Sequence, residues 1–175
     1  MTWRSAFTRH AGKYTVTAFK LTNFAFAIHF FAEYVAAIEY PSGPSMLPTI
    51  SAEGELVLDN KLVCRLFPER LQRGDIVTFV SPLDPQRVIC KRILGLPGDT
   101  ICVDPTGEKA PSTEHVIVPA GHFWVGGDNA AWSRDSRDYG PIPMALVKGR
   151  LVAKIWPLRS AAVFRNPSTP ISYTP

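Results

Sequence analysis

The hydrophobic pattern divides the chain near residue 40. Residues 21–38 form its most apolar stretch, which is rich in Phe and Ala. This stretch carries His29 and Glu33, which are four residues apart and share a helix face, so their polar side chains can pair with each other. Its 18 residues are close to the minimum for a membrane span. The pattern favours one transmembrane helix at 21–40, with a helix that lies in the membrane interface as the alternative.

After residue 40 the hydrophobic residues occur in short runs that indicate β-strands. The runs are rich in Val and Ile, and Gly, Pro or Asp residues separate them. The predicted strands lie at 55–58, 62–66, 75–80, 87–94, 100–103, 115–118, 123–125 and 150–156. The predicted fold is therefore mainly β: a single compact antiparallel, barrel-like sheet domain at 41–158, preceded by one N-terminal membrane helix.

The two ends of the chain differ from this domain in composition. Residues 1–20 are basic, free of acidic residues and rich in Ser and Thr. That composition is typical of a mitochondrial targeting segment and equally of a basic flank beside a membrane. Residues 159–175 contain three prolines and little hydrophobic pattern, and they are predicted to be a disordered tail.

The net charge of +4 comes from the N-terminal end of the chain. Residues 1–32 carry four basic residues and no acidic one, which leaves 15 basic and 15 acidic residues in the remainder. Proteins that bind nucleic acid present a basic patch, often with aromatic residues in it, and no such pattern is evident here. The sequence therefore predicts no nucleic-acid partner.

The three cysteines, Cys64, Cys90 and Cys102, give no sign of a metal site. None of them forms a Cys-x-x-Cys pair, so neither a zinc site nor another cofactor is predicted. They are expected to be small buried hydrophobic residues. A disulfide between two of them is the alternative if the domain faces an oxidising compartment.

The segment 43–49, Gly-Pro-Ser-Met-Leu-Pro-Thr, is the first candidate for chemistry. It places Ser45 between two prolines, which fix φ and lack a backbone donor, so a rigid, partly extended loop is predicted. A serine hydroxyl is a weak nucleophile near neutral pH and needs a base beside it. His115 and His122 lie outside the motif-like segments, so the sequence does not support a Ser-His-Asp triad. Taken alone, Ser45 is an ordinary serine in a turn.

Lys91 is the candidate base. If 87–94 is a strand, alternation places Lys91 on the same face as Ile89 and Ile93. Burial among branched apolar side chains disfavours the ammonium form and lowers the pKa of a lysine toward that of a general base. The alternative is a lysine at a strand edge whose ammonium group extends into solvent.

A polar loop at 127–137 completes a set of three motifs. It contains Gly-Asp-Asn at 127–129 and Ser-Arg-Asp-Ser-Arg at 133–137. Together with Ser45 and with Lys-Arg-Ile-Leu-Gly-Leu-Pro-Gly-Asp at 91–99, it resembles the type I signal peptidase family of Ser/Lys proteases. The resemblance covers about residues 31–158. Lysine at position 91 points to the bacterial or mitochondrial branch, since the endoplasmic reticulum branch has histidine there. The segments 33–34, 89–92, 139–143 and 154–157 resemble the mitochondrial branch.

The resemblance implies a role for each residue of the candidate site. Ser45 would be the nucleophile and Lys91 the general base, and Ser133 would orient the lysine amine by a hydrogen bond. Asp135 and Arg137 would form an ion pair that holds the loop. The turn behind the site would be held by two further residues, Asp128 and Asn129.

The donors for the oxyanion are only partly assigned. The amide of Ser45 is the natural candidate. Many bacterial relatives have a serine two residues before the nucleophile, whose hydroxyl also donates, but this chain has Gly43 there. A backbone amide or a water would then be the second donor. Gly43, Pro44 and Met46 are expected beside the oxyanion or the substrate.

The resemblance also implies the biological setting. It indicates a membrane-anchored serine endopeptidase of the mitochondrial inner membrane, whose domain faces the intermembrane space. Such an enzyme removes sorting signals from presequence-bearing precursor proteins, which bind as an extended strand with small or polar residues at P1 and P3. It uses no cofactor and forms a heterodimer with a homologous second catalytic subunit. Bacterial relatives often carry an extra β domain at 104–121, for which this chain has no room.

Two other functions remain as alternatives. One is a catalytically inactive scaffold subunit of the same complex, which the presence of Ser45, Lys91 and Ser133 argues against. The other is a self-cleaving Ser/Lys regulator. Regulators of that kind need a DNA-binding module, and residues 1–40 show none.

Overall fold

The computed structural model describes residues 3–164 and 166, and it describes side chains from residue 14 onward. These residues divide after Val35 into two units. The first unit is one helix, α1 (Trp3–Tyr34). Its apolar side chains Phe19, Leu21, Phe24, Phe26, Ile28, Phe30 and Phe31 are all exposed.

The helix differs from the predicted membrane span. Within the residues that the structure describes, no helix combines the length and the hydropathy needed to cross a membrane. The transmembrane helix predicted at 21–40 is therefore not confirmed. Its predicted end is also too late, because α1 stops at Tyr34 and β1 (Ala36–Glu39) is a strand.

The second unit is built on one eight-stranded antiparallel sheet. The strands after β1 are β2 (Leu56–Asn60), β3 (Ile76–Val80), β4 (Val88–Gly95), β5 (Thr100–Cys102), β6 (His115–Ile117), β7 (His122–Gly126), β8 (Ile142–Pro143), β9 (Val147–Trp156) and β10 (Ala162–Val163). The sheet order is β1-β2-β9-β3-β4-β7-β8, with β10 beside β9, while β5 and β6 form a separate hairpin. The mainly β, antiparallel fold predicted from the sequence is confirmed.

One predicted strand is wrong. Residues 62–66 belong to a short helix, α2 (Lys61–Leu66), instead. The cause is Asn60, whose side-chain oxygen accepts hydrogen bonds from the N–H groups of Leu62 (3.1 Å) and Val63 (3.3 Å). An asparagine in this position caps the first turn of a helix, which overrides the strand preference of the residues that follow.

The sheet also continues beyond the predicted domain boundary at residue 158. Ala162 and Val163 of β10 pair with Lys154 and Ala153 of β9. Phe164 extends this pairing, because its N–H donates to the carbonyl of Val152 at 2.9 Å. The first part of the predicted tail is therefore ordered on the sheet, whereas residues 165 and 167–175 lie outside the described residues.

Two clusters of buried apolar side chains cover the two faces of the central strand β3. The first cluster contains Leu71, Val77, Phe79, Ile93, Phe123, Val125 and Ile142. The second contains Met46, Ile50, Val57, Ile76 and Leu151. Alternation along β3 places Ile76 in one cluster and Val77 in the other. Burial of each large side chain contributes about 1.5–3 kcal/mol, so this strand is the fixed centre of the domain.

The second face of β3 also buries a carboxyl group. Asp59 of β2 is 1% exposed and accepts a hydrogen bond from Thr78 Oγ1 at 2.7 Å. Its other oxygen, Oδ1, is buried without a hydrogen-bond partner in the described part of the chain. A Cβ at Gly149 would overlap this carboxyl group, so the glycine leaves the space that Asp59 occupies. Burial raises the pKa of Asp59 to about 6.

This pKa predicts that Asp59→Asn stabilises the domain near neutral pH. The folded chain binds more protons than the unfolded chain between about pH 4 and about pH 6, so the free energy of unfolding falls as the pH rises through that window. Asparagine keeps an oxygen for Thr78 and removes the ionisation. We expect a gain of about 2–3 kcal/mol at pH 7 that disappears below about pH 4. Denaturant unfolding across this pH range measures it, and equal stability of the two proteins at pH 7 would contradict it.

Candidate active site

Ser45 lies in one turn of 3₁₀ helix, Pro44–Met46, and not in the extended loop that was predicted. Pro44 is compatible with this turn because it occupies the first helical position, where its fixed φ suits the helix and its missing N–H is not needed. Gly43 precedes it with a φ of 104°, which residues with a side chain rarely adopt. The Gly43 N–H donates to the carbonyl of Ala52 at 2.8 Å, which fixes the entry to the turn.

Met46 attaches this turn to the core. Its side chain is 3% exposed and packs with Ile50, Val57, Ile76 and Leu151 in the second cluster. Burial of Met46 therefore holds the neighbouring Ser45 at a fixed depth, where it is half-buried. Met46 also borders the groove described below. Its predicted contact with a substrate stays a prediction.

Lys91 is buried on the sheet face of the first cluster. It lies on β4 opposite Val77 of β3 and is 4% exposed, as alternation along the predicted strand indicates. No hydrogen bond reaches its ammonium group from the residues that the structure describes. Burial is the main cause of its lowered pKa, although the carboxylates of Asp135 and Asp128 act in the opposite direction. Lys91 is thus a desolvated lysine and not one that extends into solvent.

A buried ion pair fixes the loop at 127–137. Asp135 is fully buried and accepts hydrogen bonds from Arg137 Nε (2.9 Å), Arg137 Nη2 (2.8 Å) and the Gly127 N–H (3.0 Å). Burial alone would raise the pKa of Asp135, but these hydrogen bonds outweigh it and hold the pKa below its ordinary value. Arg137 Nη2 also donates to the carbonyl of Ala130 at 3.0 Å, so the guanidinium closes the loop on itself.

Asn129 connects this loop to the turn that carries Ser45. Its backbone N–H donates to the carbonyl of Ser45 at 3.0 Å, and its side-chain amide donates to the carbonyl of Pro44 at 3.1 Å. The two hydrogen bonds hold consecutive peptide groups of the turn. Asn129 therefore sets the position of the Ser45 backbone relative to the loop.

Asp128 connects the same loop to β4. It accepts two hydrogen bonds from Arg92, at 2.8 and 2.6 Å, and one from Thr49 Oγ1 at 2.5 Å. Arg92 also donates to the carbonyl of Gly74 at 2.7 Å. Alternation along β4 places Arg92 on the face opposite Lys91, but the sequence gives no indication of its partners. The feature of the sequence that could have indicated a separate role for Arg92 is the Lys-Arg pair in a strand, because adjacent residues of a strand point to opposite faces of the sheet.

Gly127 lies between the Ser45 turn and Ser133 and is in close contact with both. A Cβ at Gly127 would lie 2.5 Å from the Ser45 carbonyl oxygen and 2.6 Å from Ser133 Cβ. Ser133 is 3% exposed, and its Oγ is buried with no hydrogen-bond partner in the described ranges 3–164 and 166. An unsatisfied buried hydroxyl of this kind calls for an explanation.

Ser45 and Lys91 border one groove with a volume of about 550 Å³. That volume is in the range of ligand sites in proteins. Gly43, Pro44 and Met46 border it as well, whereas Asp128, Asn129, Ser133, Asp135 and Arg137 are not among its lining residues. Its rim exposes the apolar side chains of Tyr40, Leu83, Val88 and Trp132. The groove thus combines an apolar rim with a hydroxyl and a desolvated amine.

The sequence carries the signature of a peptidase family. It matches the family described as signal peptidase, peptidase S26, over residues 13–109 and 104–156. These matches cover well over half of the chain, so the chain belongs to the signal peptidase family, peptidase S26. Among solved structures, a signal peptidase I from Enterococcus faecalis V583 is 27% identical with a TM-score of 0.38, and the match covers 47% of this chain and 97% of that one.

Relatives within this family are named for mitochondria. The chain is 46% identical over 130 residues to mitochondrial inner membrane protease subunit 1 of Schizosaccharomyces pombe, which covers 74% of this chain and 80% of the relative. It is 41% identical over 128 residues to mitochondrial inner membrane protease subunit 2 of Danio rerio, which covers 71% of this chain and 64% of that relative. The mitochondrial branch indicated by the sequence is therefore confirmed.

The close approach at Gly127 predicts that Gly127→Ala damages the site. A methyl group there meets the Ser45 carbonyl and Ser133, and backbone cannot move away as easily as the end of a side chain. We expect a loss of about 1–3 kcal/mol in the free energy of unfolding, which is the usual effect of overpacking, together with reduced peptide cleavage. Denaturant unfolding and a peptidase assay measure the two effects. Normal stability with normal cleavage would show that the two segments are not held in this close arrangement.

The buried ammonium of Lys91 predicts that Lys91→Met stabilises the domain near neutral pH. Folding lowers the pKa of Lys91, so the unfolded chain binds more protons between the folded pKa and the ordinary lysine pKa of about 10.4. The free energy of unfolding of the wild type should therefore rise with pH across this window. Methionine has a similar stem and no charge, so the variant should be more stable at pH 7, and the gap should narrow toward about pH 10. A constant gap, or none, in unfolding experiments at several pH values would show that Lys91 is not desolvated.

Proposed function

We propose that the chain is a membrane-anchored serine endopeptidase in which Ser45 is the nucleophile and Lys91 the general base. The observation that carries the proposal is the shared groove: a half-buried serine hydroxyl and a buried lysine with a lowered pKa both border it. A neutral amine is required because an ammonium group has no lone pair with which to accept a proton. Burial lowers the pKa of Lys91 and so favours the neutral amine without a histidine.

The reaction then follows the general scheme of acyl transfer. The neutral amine of Lys91 accepts the hydroxyl proton while Ser45 Oγ attacks the scissile carbonyl carbon, and a tetrahedral intermediate forms. The ammonium group of Lys91 returns the proton to the leaving amine, which breaks the peptide bond and leaves an acyl group on Ser45. Water attacks the ester with Lys91 again as the base, and the product acid leaves with Ser45 restored.

The oxyanion of the intermediate is stabilised by the backbone amide of Ser45. The amide of Gly43 is engaged with the carbonyl of Ala52, and glycine has no hydroxyl to donate. The positive φ of Gly43 also makes a serine at that position strained. A second donor therefore comes from another backbone amide or from water.

Ser133 acts behind this pair as the group that orients the Lys91 amine. Its buried Oγ makes no hydrogen bond of ordinary geometry in the described residues, and the group it acts on is the nearby Asp135 carboxylate, whose pKa it helps to lower. The hydroxyl can then turn to the amine as the proton moves. Asp135 with Arg137, and Asp128 with Arg92, hold the loop that carries Ser133. Their contribution is to geometry and not to bond making.

We infer the biological role from the relatives. Those reported above are named as inner membrane proteases of mitochondria, with subunits 1 and 2. This chain would accordingly lie at the mitochondrial inner membrane with its domain in the intermembrane space and act in a complex with a homologous catalytic subunit. Its substrates would be precursor proteins, whose N-terminal sorting signals it removes. The exposed apolar side chains of α1 and the basic N-terminal segment support attachment to a membrane.

Three substitutions test the dyad. Ser45→Ala should abolish cleavage of a presequence peptide, and Lys91→Arg should abolish it as well, because a guanidinium does not release its proton in proteins. Ser133→Ala should lower turnover by about 10- to 100-fold but not abolish it, since the base keeps its chemistry and loses only an orienting partner. Cleavage is measured with purified full-length protein and a quenched peptide. Wild-type activity in Ser45→Ala would place the nucleophile elsewhere. If the unsubstituted protein folds but cleaves no peptide, a scaffold subunit would be favoured instead.

A further inference from the structure

Lys109 reaches the main chain of the loop that carries Ser133. Its Nζ donates to the carbonyl oxygen of Ser133 at 2.9 Å. The same ammonium group donates to both carboxylate oxygens of Asp138, at 2.9 and 2.8 Å. Lys109 is 24 residues from Ser133 in sequence and belongs to the connection between β5 and β6, so this is a contact between separate parts of the domain.

A buried aspartate holds Lys109 in place. Asp104 is fully buried, and its Oδ2 accepts the backbone N–H of Lys109 at 2.7 Å. Its Oδ1 accepts the Thr106 N–H at 3.1 Å and the Thr106 hydroxyl at 2.7 Å. These hydrogen bonds lower the pKa of Asp104 to about 2, so the carboxylate stays charged at neutral pH. The turn at 104–109 is therefore a fixed base from which the lysine side chain extends.

The Lys109 ammonium contacts the loop on both sides of Arg134. On one side it holds the Ser133 carbonyl. On the other side it holds Asp138, whose Oδ2 also accepts the backbone N–H of Asp135 at 2.9 Å. Both ends of this short segment are thus fixed by one cation. Ser133 Oγ makes no hydrogen bond of ordinary geometry among the described residues and acts only on the nearby Asp135 carboxylate, so its orientation depends mainly on its main chain.

We propose that Lys109 is a positioning residue of the peptidase, which fixes the Ser133 main chain so that Ser133 Oγ meets the amine of Lys91. The inference rests on the proposed function and adds to it a residue from outside the three motifs. The ion pair with Asp138 is part-exposed, with 29% and 28% of the two side chains accessible, and such pairs contribute little to stability. Its effect is therefore on the geometry of the loop. The short connection at 104–121 thus contacts the loop of the site through the side chain of Lys109.

Kinetics of Lys109 variants in the full-length chain test the proposal. Lys109→Met keeps the stem and removes every donor, so kcat for the quenched peptide should fall by about tenfold while KM stays within about twofold. Lys109→Arg keeps the charge and the donors and should recover most of kcat. Lys148→Met is the matched control, because Lys148 is exposed on β9 and lies outside the site. It should leave both constants unchanged.

A double-mutant cycle shows whether Lys109 acts through Ser133. If it does, Lys109→Met should change kcat by less than about twofold in the Ser133→Ala background, because the group that it positions is already absent. An equal loss of kcat in both backgrounds would overturn the proposal. If Ser133→Ala has no measurable turnover, two other results decide the proposal. They are the fall in kcat at constant KM in Lys109→Met and the recovery of kcat in Lys109→Arg. A rise in KM, or equal losses in Lys109→Met and Lys109→Arg, would then overturn it.

The proposed function and this inference fail in different ways. Activity in Ser45→Ala would remove the nucleophile and with it the basis for the inference. An inactive Ser45→Ala together with full activity in Lys109→Met would remove only the role of Lys109. Unfolding of each variant is measured alongside, and kcat is expressed per folded molecule.

Discussion

The burial of one lysine side chain, Lys91, is the constraint on which the candidate site depends. An ammonium group in an apolar setting loses its hydration, and the neutral form is favoured when no anion compensates. Lys91 is desolvated because β4 is a central strand, with β3 on one side and β7 on the other, and burial is the main cause of its lowered pKa. Its neighbours on the sheet face belong to the first apolar cluster, so the backbone cannot bring the amine closer to solvent without breaking the core.

A lowered lysine pKa is difficult to maintain beside a loop with three carboxylates. Asp128, Asp135 and Asp138 would each raise the pKa of a nearby amine if they were unpaired. Each of them instead pairs with a cation other than Lys91: Asp128 with Arg92, Asp135 with Arg137, and Asp138 with Lys109. For Lys91, the effect of the Asp135 carboxylate is opposed by that of the Arg137 guanidinium. The ion pairs thus fix the loop and at the same time limit its negative field at the amine.

The sequence predicts those features that depend on local periodicity and fails for those that depend on distant partners. Alternation along β4 is enough to place Lys91 and Arg92 on opposite faces, and the short Val- and Ile-rich runs are enough for a mainly β fold. The strand predicted at 62–66 is wrong because a single capping residue, Asn60, decides in favour of a helix. Thr49 and Lys109 could not be assigned, since their partners lie 79 and 24 residues away and no spacing rule connects them.

The candidate site also contains two of the three buried polar side-chain atoms that have no hydrogen-bond partner in the described residues, the third being Asp59 Oδ1. The two atoms in the site are Ser133 Oγ and Tyr139 Oη. A buried polar group that makes no hydrogen bond costs about 1–3 kcal/mol, so two such groups are a large fraction of the stability of a small domain. Tyr139 and Lys91 border the same groove. Local exceptions of this kind are expected where a structure is organised for chemistry and not for stability alone. Because the apolar clusters on both faces of β3 supply the compensating free energy, the rigid core and the candidate groove are two consequences of one arrangement of strands.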